Sequence, residues 1–103
     1  MDAVDPELVD QAERTVNAVR GVLGVEWVRL RWVGHRLRAE VSLVVDNRLS
    51  VWEGHEVAVE AKHQLLHRVS KLDDATLHVS PSPAPGRDPH AALAHHTHEY
   101  RSC

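Results

Sequence analysis

The sequence predicts a small α+β domain of the ferredoxin-like kind, with element order α-β-β-α-β and two helices on one face of a three-stranded sheet. Three observations predict it. Two stretches carry apolar residues at helical spacing, two neighbouring stretches alternate strictly and are joined by a glycine turn, and a last short alternating stretch stops at a proline. No internal repeat interrupts this order.

Asp5 is an N-cap with Pro6 at the first helical position, and Leu8, Ala12, Val16 and Val19 recur at helical spacing until Gly21. This predicts helix one over residues 6–20. From Val25 to Val33 the residues Val28, Leu30 and Trp32 alternate with Trp27, Arg29 and Arg31, the period of a half-buried strand. Gly34-His35 turns the chain. From Arg36 to Val45 the residues Leu37, Ala39, Val41, Leu43 and Val45 face the core while Arg38, Glu40 and Ser42 face away, so the two strands form a hairpin. Ser50 and Glu53 make a capping box, and Val51, Ala58, Ala61, Leu65 and Val69 set the core stripe of helix two. Ser70 to Asp74 reads as a polar loop. Ala75, Leu77 and Val79 then alternate with Thr76, His78 and Ser80 in a third strand ended by Pro81. Residues 1–81 form the domain. From Ser80 to Gly86 the composition shifts to Pro, Ser and Gly, and Arg87 to Cys103 lacks the apolar periodicity to fold alone, so 82–103 reads as a mobile tail.

A chain of 103 residues supports one domain with a modest core, marginal alone and helped by a partner surface. With no Phe, three Trp and one Tyr, that core must be aliphatic. The formal charge of −3 argues against nucleic acid as a partner, because phosphate neutralisation needs a basic face. Nine histidines are the anomaly and point to metal or pH response. The single Cys103 forms no internal disulfide, which fits a reducing compartment. No apolar stretch has the length of a membrane span, so the chain reads as soluble. No nucleophile triad, phosphate-cradling glycine loop or acid/base motif suggests an enzyme.

One stretch carries a resemblance. Asp46, Leu49-Ser50 and Gly54-His55 at the start of helix two, with Gly24-Val25-Glu26-Trp27 to Gly34 upstream and Leu77-His78-Val79-Ser80-Pro81 downstream, resemble the cytoplasmic C-terminal domain of cation diffusion facilitator metal transporters. The resemblance covers residues 1–81, and it implies a metallochaperone-like fold. Met1 to Val9 resembles the junction after the last membrane helix of such transporters, so the chain is expected to be the cytoplasmic domain of an integral membrane protein. It also implies a homodimer that closes when a divalent metal ion such as zinc binds, and that regulates efflux through the transmembrane part of the parent transporter. The residues matching the family's cytoplasmic metal ligands are His55 and His78. Family members often carry histidine at the positions matching Glu26 and Ser42 and a carboxylate at that matching Ser80. The expected ligand set is therefore His55 and His78 with Glu40 or Glu26, Glu40 sharing the outward sheet face with His78 by strand parity.

Outside this set, His63 and His67 stand at i and i+4 on helix two, a spacing that either chelates an ion or belongs to a solvated face. The tail histidines His90, His95, His96 and His98, with Cys103, form a second candidate metal cluster. Trp27, Arg29 and Arg31 on the outward sheet face are residue types concentrated at protein interfaces, and they predict the dimer contact. Two other functions fit the same residues: a dimerisation scaffold without metal, suggested by Glu26, Ser42 and Ser80, and a free-standing metal buffer or chaperone that uses the tail.

Overall fold

The protein was described from a computed structural model, in which residues 4–83 are placed. Helix α1 spans Pro6–Asn17, strand β1 Val22–Val33, β2 Arg36–Val45, helix α2 Val51–Arg68 and strand β3 Leu72–Pro81. The predicted order holds. The sheet order is β1-β2-β3, with β1 antiparallel and β3 parallel to the central β2. A parallel neighbour needs a crossover, and α2 supplies it.

The central strand organises the core because its inward residues Leu37, Ala39, Val41, Leu43 and Val45 are all buried. Against them pack Ala12 and Val16 of α1, Ala61 and Leu65 of α2, and Leu72 and Ala75 of β3. These are small aliphatic side chains, and they let both helices lie close to one face of the sheet. Gly54 is buried where the start of α2 meets Val79 and Val45. Among the described residues no helix lies on the other face.

Caps fix where the helices begin. The Asp5 carboxylate accepts from the Glu7 amide at 3.0 Å, and Pro6 follows at the first helical position. At α2 the capping box is complete, the Glu53 amide donating to Ser50 Oγ at 3.0 Å and the Ser50 amide to Glu53 Oε1 at 2.8 Å. Helix α1 ends at Asn17, three residues before its predicted end, because residues 18–21 turn towards β1 and bury Val19. Strand β1 starts at Val22 rather than Val25, and β3 at Leu72 rather than Ala75. In β3 the reason is tertiary: Leu72 pairs with Leu37 and is buried, so the predicted polar loop shortens to the turn around Lys71. Val51 does not join the core stripe. It sits 92% exposed at the first helical position.

Gly21 holds a left-handed φ of 98°, and a Cβ there would lie 2.7 Å from Val57 Cγ2 on α2. A β-branched side chain held in the helix cannot swing away. Gly21→Ala is therefore expected to cost about 2 kcal/mol or more, combining backbone strain with the clash. A lowered urea midpoint with an unchanged slope checks this.

Candidate metal-responsive sheet face

The open sheet face is built from rows of cross-strand neighbours. Trp27, Ser42 and His78 form one row across β1, β2 and β3, and Arg29, Glu40 and Thr76 form the next. The rings of Trp27 and His78 approach to 5.5 Å between centroids, flanking Ser42 between them. Ser42 points away from the helices as predicted, yet it is buried because those two rings cover it. The Arg29 guanidinium lies 4.4 Å from the Trp27 ring centre, a cation–π contact that stiffens the indole.

Glu26 reaches this face through an irregularity. Val25 pairs with Leu43 and Trp27 with Ser42, so Glu26 is the extra residue of a bulge. Its carboxylate accepts the Ser42 hydroxyl at 2.6 Å, a short charge-assisted bond. No alternation pattern encodes that turn of the side chain.

Glu40 and His78 come together as strand parity predicts, Oε2 lying 3.7 Å from Nε2 with each side chain about half exposed at 49% and 48%. That is too long for a hydrogen bond. It is close to the roughly 3.4 Å that separates two ligand atoms on a tetrahedral ion with bonds of about 2.0 to 2.1 Å. The chemistry of the pair therefore fits a divalent cation. His55 lies elsewhere, at the fifth position of α2 with its ring 6.0 Å from that of Trp52. Among the described residues its ring contact is with Trp52, whereas that of His78 is with Trp27. Among the described residues no group of three His, Cys, Asp or Glu side chains converges to hold an ion. His90, His95, His96, His98 and Cys103 lie outside the described residues.

The surrounding charges are locally matched. Asp74 lies 3.3 Å from Lys62 Nζ and 3.8 Å from Arg38, beside the predicted interface residue Arg31, which pairs with Arg38. The Ala75 amide and then the Lys62 ammonium hold its carboxyl below the usual range. Before α2, Arg48 does the same to Asp46 by a two-point hydrogen bond, at 3.2 and 3.0 Å.

Residues 4–82 match the family described as the cytoplasmic domain of cation efflux proteins. The chain belongs to that family. It is 45% identical over 82 residues to a probable cation efflux system protein of Mycobacterium tuberculosis (strain CDC 1551 / Oshkosh), covering 80% of this chain and 25% of that protein. It is 28% identical over 79 residues to the manganese efflux system protein MneP of Bacillus subtilis, covering 77% of this chain and 27% of MneP. The chain thus spans about a quarter of the length of these relatives. Among solved structures, a doubly substituted MamM-CTD superposes with TM-score 0.73 at 19% identity, covering 77% of this chain and 95% of that one. A nickel form of a MamM CTD variant gives the same score and identity over 76% of this chain and 99% of that one. That likeness places the domain in the ferredoxin-like fold. The family is one of transporter cytoplasmic domains rather than of enzymes, and no helix among the described residues of this member is long and apolar enough to cross a membrane.

Proposed function

We propose that this chain is the metal-sensing and dimerisation domain of a divalent cation efflux transporter, with zinc the ion that closes the dimer and thereby regulates transport. The observation that carries this reading is the half-exposed His78 and Glu40 pair, set at ligand spacing on a sheet face that neither α1 nor α2 covers. One chain offers two donors there, and an ion held firmly takes four. A second copy across a two-fold axis supplies the remainder, either its own pair or His55 from the start of its α2. Trp27, Arg29 and Arg31 provide the contact that brings the copies together, since aromatic and arginine side chains are favoured at such interfaces. Glu26 is the reserve ligand, available only if it releases Ser42.

The bond from Ser42 to Glu26 favours a second reading, a dimerisation scaffold whose metal site is lost. Two measurements separate these. Light scattering at about 100 μM reports a dimer for either reading, and a strict monomer opposes both. Calorimetric titration with zinc gives a saturable site that is lost in His78→Ala for the sensor, and no site that depends on His78 for the scaffold. Ser82 is tied to the domain, its amide donating to the Val45 carbonyl at 2.7 Å, which moves the expected boundary after residue 81 outward. Residues 84–103 are proposed to lie outside the folded unit, so a chain ending at Pro83 keeps its dimer mass while it loses weakly bound ions.

A further inference from the structure

On helix α2, away from the sheet face, His63 and His67 form a separate arrangement. Their rings stack one turn apart, 6.1 Å between centroids and only 11° from parallel. Both are exposed, because Gly54, Ala61 and Leu65 turn the opposite side of α2 into the core. Among the described residues neither ring makes a hydrogen bond or an ion pair, so their nitrogens remain open to a ligand.

The neighbouring charged groups are engaged elsewhere. Glu60, one turn before His63, accepts from Gln64 at 2.7 Å, and Gln64 in turn accepts from Arg68 at 3.0 Å. Lys71, in the turn beyond the end of α2, places its ammonium 5.8 Å from the Trp32 ring centre. Lys62 is paired with Asp74. Among the described residues no cation therefore stands over the two rings, and no carboxylate joins them.

We infer that His63 and His67 form a two-point surface chelate on α2 for a late first-row divalent cation, nickel, copper or zinc, distinct from the His78 and Glu40 face. A modest rotation of each side chain brings one nitrogen per ring to about 2.0 to 2.1 Å from a shared ion, with water in the other positions. Imidazole pairs suit these ions, and the order of affinity rises to copper. The two rings face one another only when residues 63–67 are helical, so the ion binds the folded chain more tightly than the unfolded one. The inference stands whether or not the sheet face senses metal.

The test uses the full chain with nickel chloride as the probe. Nickel is expected to raise the unfolding temperature and to broaden the amide resonances of residues 60–70. Both effects should persist in His78→Ala. In His67→Gln the affinity read from the residue 60–70 signals should weaken roughly tenfold or more, since one of two ring ligands is gone. The exposed position of His67 leaves the apo circular dichroism unchanged. Broadening confined to residues 90–103, or an unaltered response in both His67→Gln and His63→Gln, overturns the assignment.

Discussion

Leu65→Ala is expected to lower the unfolding free energy by about 3 to 4 kcal/mol, the range for deleting a fully enclosed leucine from a core that cannot collapse around the gap. Leu65 is 0% exposed on α2 and belongs to the same core cluster as the fully buried Leu37, Leu43, Val41, Val16 and Val69. A domain of this size holds only some 4 to 12 kcal/mol in total. The variant should therefore be partly unfolded at 37 °C, with a urea midpoint reduced by a third or more. Val51→Ser is the matching control on the same helix. At 92% exposure it removes no buried surface, and a change within about 0.5 kcal/mol is expected. Equal effects of the two substitutions would mean that α2 does not pack on this sheet.

That contrast marks what was legible in the sequence. In β2 every inward position is aliphatic and every one is buried, so alternation alone identified the strand and its core face, while its central place in the sheet comes from the pairing with β1 and β3. The same alternation cannot reveal a bulge, because a bulge belongs to the pairing of two strands and not to either one. The family resemblance named Glu26, but alternation gave neither the bulge that turns its side chain to this face nor its bond with Ser42. Leu72 was hidden for a related reason: its neighbours Asp73 and Asp74 read as loop, and only the pairing with Leu37 draws it into β3. Val51 followed helical spacing without joining the core, since spacing gives the face and not the end of the helix that overhangs the sheet. For the site, strand parity was enough to bring Glu40 to His78. It could not place His55, whose proposed meeting with a ligand depends on a second copy that one chain's residues do not fix.

The second large effect tests that dependence. A metal shifts an equilibrium between open and closed dimers only by its difference in affinity for the two, so ligands must be better assembled in one of them. In the proposed sensor His78 and Glu40 hold one side of the ion and His55 contributes from α2. His55→Ala together with His78→Ala should abolish the zinc-induced decrease in radius of gyration seen by small-angle scattering of the full chain, and weaken the saturable zinc site by at least tenfold, since two imidazole ligands are lost. Neither ring lies in the core, and His78 is 48% exposed, so the metal-free fold and its urea midpoint should stay unchanged. Compaction that survives the double substitution would place the closing ion at other residues. Compaction in neither protein would favour the scaffold, in which Ser42 already satisfies the Glu26 carboxylate and the two copies meet through Trp27, Arg29 and Arg31 whether or not metal is present.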